Sequence, residues 1–464
     1  MSKKACHSEL VSETNKGGES LPLARTSSLA TPSSGGHPRN APVNTTIEAP
    51  YELPEGWKWE RLGNYISLLR GVSYKKEAAH SEKLKNDCLI IRGGNIVEGS
   101  INLESDNIYV DKSLVSENQL IKKNDIIIVT STGSTKVIGR AGVSKDNYKD
   151  VAFGAFLTLA RPNDLANKSY INHYFQSSLY RERIRQLASG VNINNIRTDY
   201  ITETPIPLPP TLTEQERIVN RIETMFAKLD QAQEKAQSVL DSFEPRKAAI
   251  LHKAFTGQLK IDNEELIIED WEEKSFSELG TTNLGKMLDA NKNIGDDVQY
   301  LRNINVRWFD FDLSDLMTMK AKPEEIKKLS VKKGDLFICE GGEPGRCAVW
   351  KDENADLIFQ KAIHRFRPND GVSSDFVAYV LYYYNQIGKL SDYFTGTTIK
   401  HLTGQSLAKL PIKLPPLNYQ LSIVNFLDTV LEKETRAKEA VQSVLDQIAL
   451  LKKSILARAF RGEL

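Results

Sequence analysis

Short stretches of the sequence contain residue types that could bind phosphate or a metal ion. The glycine-rich stretch at 341–345 (Gly-Gly-Glu-Pro-Gly) could cradle a phosphate, but no helical pattern with a lysine follows it, which is more typical of a turn between strands. Residues 285–287 (Gly-Lys-Met) lack the upstream glycine and the Ser or Thr of a P-loop. The four cysteines and seven histidines are dispersed, without the spacing of a zinc site. The sequence therefore predicts no cofactor-binding and no metal-binding residue.

Motifs of DNA-modifying and DNA-cleaving enzymes are absent as well. The double prolines at 209–210 and 415–416 follow leucine, whereas an amino-methyltransferase has Asp or Asn there to hold the target amine. No pair of carboxylates with a lysine suits a nuclease. His173, His252 and His364 lie in patterned segments, as ordinary structural residues do. We therefore predict no catalytic residue.

The composition is that of a protein with sizeable cores and nearly balanced charge. The chain has 464 residues, 40% of them apolar, with a mean hydropathy of −0.39 and a formal net charge of +1. No apolar run approaches the roughly 18 residues of a membrane span, and residues 1–50 lack the apolar core of a signal peptide. We therefore expect a soluble, cytoplasmic protein without membrane contact, and with buried free thiols. A nearly neutral chain can still carry a local basic groove.

The chain is a tandem repeat. Residues 215–259 align with 420–464 without a gap, and 20 of these 45 positions are identical. A shift of 206 residues extends the match upstream, where it becomes weaker. Each copy is thus a variable module followed by a well-matched segment of about 50 residues, which suggests a shared scaffold with different targets.

The matched segments have the pattern of long helices. Apolar residues from Ile218 to Phe243 recur in alternating steps of four and three, and the second copy repeats this seam with one interruption, at Glu434. Thr213 and Asn418 occupy candidate N-cap positions. Pro245 predicts a kink or break near Glu244. We expect the helices at 213–255 and 418–460 to pair with each other in antiparallel fashion.

The variable modules show strand signals and one amphipathic helix each, at 170–187 and 375–390. The strand signals fall at 89–91, 125–129, 156–159, 335–338, 348–350 and 362–366. We therefore predict an α+β fold in which two mixed α/β domains are joined by two long antiparallel coiled-coil helices, as a tandem repeat with a pseudo-twofold axis.

The sequence divides into six segments on this interpretation. Residues 1–50 are rich in Ser, Thr, Pro, Gly and Asn and are predicted to be a disordered extension, and the acidic stretch 260–273 is predicted to be a linker. The other four are the first module at 51–207, a central helix at 208–259, the second module at 274–412 and a C-terminal helix at 413–464.

The ordered and duplicated motifs resemble a known family. The segments that carry the resemblance are Leu-Pro-Glu-Gly-Trp at 53–57, Pro205–Val219, Ala254–Leu259, Pro411–Val424 and Ala457–Leu464. Together they resemble the specificity subunit of type I restriction-modification systems over residues 51–464. Each piece alone is moderately specific, and the ordered set is highly specific.

The resemblance implies a non-catalytic protein that reads double-stranded DNA. Its two modules would be target recognition domains, each reading half of a split site. The helix pair would set their spacing and dock two modification (methyltransferase) subunits, with restriction (helicase-nuclease) subunits joining through the assembled complex. S-adenosylmethionine, ATP and Mg²⁺ are then expected on those partner subunits and not on this chain. Two modules reading one face of the duplex need a separation near a helical turn, about 34 Å, or a multiple.

Polar turns beside strands supply the candidate DNA-binding residues, because amides, Arg and Lys read base edges in the major groove. In the first module they are Lys75, Lys76, Arg92, Asn95, Ser134, Lys136, Arg140, Asn192, Asn194, Asn195 and Arg197. In the second module they are Arg302, Asn303, Asn305, Arg307, Arg346, Lys361, Arg365, Thr397, Thr398, Lys400 and His401. The stretches 190–197 and 396–401 are the strongest candidates, because both are polar, begin with glycine and occupy equivalent places in the two copies.

Two other functions are compatible with parts of the sequence. A coiled-coil adaptor without sequence-specific DNA binding would use only the helix pair. A self-sufficient enzyme, such as a fused methyltransferase-nuclease, would need the motifs that are missing. Binding of genomic fragments without sequence preference would favour the adaptor, and methylation by the chain alone would favour the enzyme.

Overall fold

The structure is a computed structural model that describes residues 49–97, 99–189, 195–261, 264–265, 271–289, 293–353 and 355–464. The disordered extension predicted at 1–50 lies outside these residues, apart from its last two positions. The acidic linker predicted at 260–273 is described only in part.

The first module combines two main sheets with a helical layer. Its strands are β1 Lys58–Arg61, β2 Ile66–Arg70, β3 Asp87–Ile91, β4 Ile96–Val97, β5 Ser100–Ile101, β6 Ile108–Asp111, β7 Ile126–Val129, β8 Ala141–Val143, β9 Val151–Phe153, β10 Leu157–Pro162 and β11 Pro205–Leu208. Its helices are α1 Lys168–Gln176, α2 Ser178–Ser189 and α3 Thr198–Thr202. The sheets have the strand orders β2-β10-β7-β8 and β6-β3-β9, and β1 pairs with β11.

The chain continues through two helices into the second module. These helices are α4 Leu212–Asp241 and α5 Phe243–Phe255, followed by a short hairpin of β12 Lys260–Ile261 and β13 Glu264–Glu265. The strands of the second module are β14 Glu272–Ser275, β15 Gly280–Leu284, β16 Asp296–Leu301, β17 Met317–Ala321, β18 Leu336–Cys339, β19 Cys347–Val349, β20 Leu357–Phe359, β21 Ile363–Pro368 and β22 Pro411–Leu414. Its helices are α6 Pro323–Leu329, α7 Ser374–Gln386 and α8 Gly404–Ala408, and the chain closes with α9 Leu417–Phe460.

The two modules share one sheet topology. The second has the orders β15-β21-β18-β19 and β17-β16-β20, and β14 pairs with β22. In each module one strand pair is parallel, β3 with β9 and β16 with β20. All six predicted strands are confirmed to within three residues at each end. The tandem α+β arrangement predicted from the repeat is thus present in the structure.

The prediction of one amphipathic helix per module needs correction. In the first module the chain breaks at Ser177, whose hydroxyl donates to the carbonyl of Tyr174 at 2.6 Å, so that α1 and α2 are separate helices. In the second module α7 ends at Gln386, and a short 3-10 helix follows Gly388, which has φ of +76°. A left-handed residue cannot continue a helix, which explains the early end.

The long helices lie close to their predicted positions. The first is interrupted at Ser242, between α4 and α5, which confirms the break expected near Pro245, while α9 runs without interruption. The predicted N-caps are wrong by two residues. Thr211 caps α4 by accepting a hydrogen bond from the amide of Glu214 at 3.1 Å, and Pro416 precedes α9, so that Asn418 lies inside that helix.

The helices α4–α5 and α9 contact each other along their length through ion pairs. Lys452 donates to Asp230 at 2.5 Å, and Lys438 donates to Glu244 at 2.8 Å. The residue numbers of the paired positions therefore increase along one helix while they decrease along the other. A polar hollow lies between the helices, lined on the α4 side by residues such as Gln233 and Gln237.

The predicted apolar seam is only partly buried, which corrects the expectation of a continuous apolar interface. Ile218, Ile222 and Phe243 are buried, but Ala232 and Val239 are exposed. In α9 the seam positions Ala437, Val444 and Leu451 are exposed as well. The described apolar residues of the helices are therefore buried mainly where the helices reach the modules, whereas in their middle polar contacts alternate with isolated buried residues such as Phe243 and Ile448.

The interruption of the seam at Glu434 has a physical reason. Arg246, four residues into the helix that follows the break, donates to Glu434 at 2.7 Å from Nη2 and 3.1 Å from Nε. The guanidinium also lies over the Phe243 ring, 4.4 Å from its centroid. At this level, a charge-assisted pair, in which two guanidinium nitrogens donate to one carboxylate oxygen, replaces an apolar contact.

Each module completes its core with the end of the helix that begins at the other module. Phe460, at the end of α9, is buried against Tyr170 and Tyr174 of the first module, with ring centroids 5.1 and 5.4 Å apart. Phe255, at the end of α5, packs on Phe376 and Tyr383 of the second module at 5.7 and 5.2 Å. The repeated Ala-Phe motif is therefore a core element.

A glutamine and an ion pair occur at matching places in both modules. The side-chain oxygens of Gln215 and Gln420 each accept a hydrogen bond at 2.8 Å, from the backbone amides of Asn167 and Ser373. Buried Asp125 and Asp335 each bind an arginine, Arg161 and Arg367, with shortest distances of 2.6 Å. These buried polar groups explain several of the identities between the copies.

The described cysteines are buried free thiols, as expected. Burial raises the pKa of Cys88 and of Cys339 to about 11, and raises the pKa of Cys347 well above its usual value. Such thiols stay protonated and unreactive at neutral pH. No helix in the described part of the chain is both long and apolar enough to cross a bilayer.

We predict that Phe460→Ala destabilises the first module, although Phe460 lies at the far end of the sequence. Removing a fully buried ring typically costs about 3–5 kcal/mol. Hydrogen exchange should therefore become faster in α1 and β11 and stay unchanged in α7. The matched variant Phe255→Ala should show the opposite pattern. Equal effects of each variant on both modules would contradict the cross-packed cores.

Candidate nucleic-acid interface

The structure brings predicted residues of the first module together around two neighbouring hollows. Lys76 and Arg92 line one, with a volume of about 490 Å³. Asn195 and Arg197 line the other, a polar cleft of about 760 Å³. The two hollows share Ser73, and residues 155 and 157 of the turn before β10. Three separate segments of the chain thus converge on one surface.

The cleft offers several kinds of hydrogen-bonding group. Arg197 is exposed, lies beside the Tyr200 ring and binds Asp199 at 2.6 Å, and this hydrogen bond raises the pKa of its guanidinium. Asn195 is exposed and forms a backbone bridge with Ser131. Amide, hydroxyl and guanidinium groups in one cleft suit hydrogen bonding to base edges.

A loop of similar structure follows the central strand of each module, and begins at Arg92 in the first module and at Arg302 in the second. In the first module the side-chain oxygen of Asn95 accepts from the Arg92 amide at 2.7 Å, and its nitrogen donates to the carbonyl of Asn102 at 3.0 Å. In the second module Asn305 does the same, with Arg302 at 2.9 Å and Asp312 at 2.8 Å. Each asparagine therefore closes its loop.

The arginines of this loop are held in matching ways. Arg92 binds Asp106, and Arg302 binds Asp315 at 2.6 Å. A second arginine braces each loop, because Arg140 donates to the carbonyl of Gly93 at 3.4 Å and Arg346 donates to that of Asn303 at 2.9 Å. The Nε atoms of all four arginines are buried without a partner among the described residues.

Three predicted residues are corrected by their burial. Asn95 and Asn305 are 0% and 2% exposed, and their amides are used within their loops. Arg365 is 3% exposed and donates to the carbonyls of Lys328 and Ser330 at 3.2 and 3.1 Å, and burial lowers the pKa of its guanidinium. None of these side chains presents a group to a ligand at the surface, so we remove them from the candidate set.

The remaining candidates divide by exposure. Half-buried residues are Arg92, Arg140, Arg302, Asn303 and Arg346. Exposed residues are Lys75, Lys76, Ser134, Lys136, Asn195, Arg197, Arg307, Lys361, Thr397, Thr398, Lys400 and His401. Asn192 and Asn194 lie outside the described residues. The five exposed lysines among the candidates, Lys75, Lys76, Lys136, Lys361 and Lys400, form no ion pair with a described residue. Their charges are available to phosphates.

In the second module the structure brings the predicted loop at 396–401 next to the braced loop. Backbone hydrogen bonds between Thr395 and His401, at 2.8 and 2.9 Å, close a tight loop in which Gly396 has φ of +90°. A side chain at Gly341 would place its Cβ 3.1 Å from Nδ1 of His401, so the imidazole packs against the glycine-rich turn. The turn at 341–345 thus supports the candidate surface and does not stand alone.

One exposed residue of the first module escaped the sequence analysis. Phe156 was assigned to a strand, but β10 begins at Leu157 and Phe156 lies in the preceding turn, where it lines the hollow that contains Lys76 and Arg92. The second copy has Ala362 at the matching position. This difference between otherwise related turns was the sequence signal that could have identified Phe156 as a surface residue.

Among the described residues, no group of three or more His, Cys, Asp or Glu side chains is placed to hold a metal ion. The candidate surface is built from two related modules with different exposed side chains.

The chain is similar to curated specificity subunits of type I restriction enzymes. It is 29% identical to the EcoKI specificity subunit of Escherichia coli (strain K12) over 424 residues, which cover 89% of this chain and 90% of the relative. It is 28% identical to the StySPI specificity subunit of Salmonella potsdam, with the same coverage of both chains.

Solved structures share the fold. A chain from a structure of the type I R-M system, described in terms of complex assembly and conformational transition, has a TM-score of 0.67 at 19% identity and covers 89% of this chain and 100% of its own. The HsdS subunit from Thermoanaerobacter tengcongensis has a TM-score of 0.55 at 20% identity and covers 90% and 100%.

The family model for the type I restriction modification DNA specificity domain matches the chain twice, at residues 54–240 and 268–445. The chain belongs to this family, as its motifs indicated. Its function is that of a DNA specificity subunit, and subunits of this kind are not catalytic. The adaptor and the self-sufficient enzyme are therefore not favoured.

We predict that Asn305→Ala destabilises the second module by about 1–3 kcal/mol, because it leaves the carbonyl of Asp312 and the amide of Arg302 without their Asn305 partner and removes one of the two donors to the carbonyl of Asp315. Denaturant unfolding measures the loss. Asn303→Ala is the matched control, since the Asn303 side chain makes no hydrogen bond with a described residue. Equal losses for both variants would contradict the loop-closing role of Asn305.

Proposed function

We propose that the two modules read the two halves of a split site in double-stranded DNA. The observation that carries this proposal is that two modules of the same sheet topology present different exposed side chains at equivalent places, such as Asn195 and Arg197 in one and Lys400 and His401 in the other. A common scaffold with different surface groups suits two different base sequences. Exposed lysines at the rim of each module would bind phosphates and set the register.

We propose further that α4–α5 and α9 form an antiparallel coiled-coil spacer with a pseudo-twofold axis between the modules. The ion pairs Asp230–Lys452 and Glu244–Lys438 support the antiparallel direction. The 44 residues of α9 correspond to a length of about 66 Å at 1.5 Å per residue. This length suits modules about one or two turns of the duplex apart.

The exposed apolar residues on the spacer suggest where partner subunits dock. Val239 and Val444 occupy matching positions in the two copies and are both exposed. One exposed valine at the same position in each copy suits the docking of two copies of a modification subunit. Restriction subunits would join through that complex in the cytoplasm, and S-adenosylmethionine, ATP and Mg²⁺ would bind to the partners.

Mapping methylated adenines tests the proposal. The chain would be expressed with a modification subunit in a host that lacks adenine methylation. The expected result is methylation at one bipartite motif with a fixed gap. Methylation without a bipartite motif, or DNA binding without sequence preference, would overturn the split-site proposal.

We predict that Arg197→Ala weakens binding of the mapped site by about tenfold or more, because a good arginine contact to a base edge is worth about 1–3 kcal/mol. Binding is measured by fluorescence anisotropy on the assembled complex at several salt concentrations. Arg436→Ala is the control, since Arg436 is similarly exposed but lies on α9, where it pairs with Glu432. Unchanged affinity of Arg197→Ala would remove Arg197 from the interface.

Lengthening both helices should widen the gap in the recognised motif. Seven residues inserted after Ala236 and seven after Asp446, both between the two lysine ion pairs, add about 10 Å. This corresponds to about three base pairs at 3.4 Å each. Methylation mapping reads the new gap directly. Insertion into one helix alone should abolish site-specific methylation, because the two helices would no longer match, and an unchanged gap in the double insertion would rule out the spacer role.

A further inference from the structure

The Phe156 side chain is 70% exposed, which makes it the most exposed large apolar side chain among the described residues. Burying a phenyl ring contributes roughly 1.5–3 kcal/mol, so this position leaves a favourable contact unused. A single exposed apolar residue is common on protein surfaces and implies nothing by itself. The backbone and the surroundings of Phe156 distinguish it.

The backbone holds the ring in its exposed position. The carbonyl of Phe156 accepts hydrogen bonds from the amides of Thr130 and Ser131 at 3.2 and 3.1 Å. The amide of Leu157 donates to the carbonyl of Gly154 at 2.9 Å, which closes the turn, and the amide of Gly154 donates to Ile91 at 3.0 Å. The turn is therefore tied to two neighbouring strands. Its exposure is built into the fold.

Cationic and amide side chains line the hollow at Phe156 and the cleft that adjoins it. Lys76 and Arg92 line the hollow to which Phe156 belongs, and Arg70, Asn195 and Arg197 line the adjoining cleft. Lys76 forms no ion pair with a described residue. An exposed aromatic ring near basic groups suits a polyanion that also has an apolar surface, and DNA has both properties.

Duplex DNA offers one apolar group at the base edges, the C5 methyl group of thymine in the major groove. Lys76 and Arg92, which line the same hollow as Phe156, carry groups that can hydrogen-bond to base edges. Insertion between stacked bases from the minor groove would need a wedge that projects beyond such groups. The methyl contact is therefore the better match to this surface.

We propose that Phe156 is a specificity-determining residue of the first module that contacts the methyl group of a thymine in its half-site. The inference rests on the proposed function, because it assigns one base within the proposed site. The second module has Ala362 at the matching position and instead exposes Ile399 in the loop at 395–401. The two modules thus place their apolar side chains on different loops, which gives them different selectivity.

Replacement of thymine by uracil tests this contact, since it removes the methyl group and leaves the base pairing unchanged. After the site has been mapped, each of its thymines is replaced in turn, and the affinity of the complex with the modification subunits is measured. One replacement should weaken binding by the wild-type complex about fourfold, the value of one buried methyl-sized group. The Phe156→Ala complex should bind the duplex with thymine and the duplex with uracil at that position with equal affinity.

Ile399→Ala is the matched control, because it removes an exposed apolar side chain from the other module. The Ile399→Ala complex should lose as much affinity as the wild-type complex when that thymine is replaced by uracil. Equal sensitivity of the wild-type and Phe156→Ala complexes at every thymine would overturn the inference, as would a first half-site without thymine. Loss of DNA bending in Phe156→Ala without any uracil effect would also overturn it, in favour of a wedge.

Failure of this inference is distinguishable from failure of the proposed function. A wild-type complex that binds one bipartite site but shows no uracil effect would overturn the thymine contact alone. A wild-type complex without a preferred site would overturn both. The Phe156→Ala chain should unfold at the wild-type temperature, because the ring is exposed.

Discussion

The structure depends on the exchange of core residues between its two halves. The first turns of each long helix pack on the module that precedes them, and the last turns pack on the other module. Phe460 fills the first core and Phe255 fills the second. Neither module can move away from the helix pair without opening an apolar core, so the distance between the modules is fixed by packing and not by a flexible linker.

A second set of contacts separates the shared scaffold from the variable surface. The Asp–Arg pairs in the sheets and the braced loops after the central strands occur in both modules with the same partners in matching places. These groups hold the backbone in one shape. The exposed side chains around these groups differ between the copies. Examples are the lysines near position 75 in the first module and the hydroxyls near position 397 in the second. Recognition can therefore change without rebuilding the fold.

The sequence allowed the repeat, the strands and the long helices to be predicted because each has a local signature. The apolar seam was misleading, since spacing alone does not reveal whether another helix covers Val239 or Val444. The burial of Asn95 and Asn305 was also unpredictable, because the carbonyls to which their side chains donate lie seven to ten residues away in a turn that has no periodic pattern. Phe156 was missed because an aromatic residue beside a strand is usually part of the strand.

The position of Phe460 has a consequence for how the protein forms during synthesis. The last strand of the first module ends at Leu208, and Phe460 follows roughly 250 residues later. At about 5–20 residues per second, the ribosome needs roughly 10 to 50 seconds to make this interval. During that time the apolar faces of Tyr170 and Tyr174 lack the Phe460 ring that covers them. The nascent chain therefore exposes an apolar surface until α9 has been synthesised, and this surface is a defined place for a chaperone to bind.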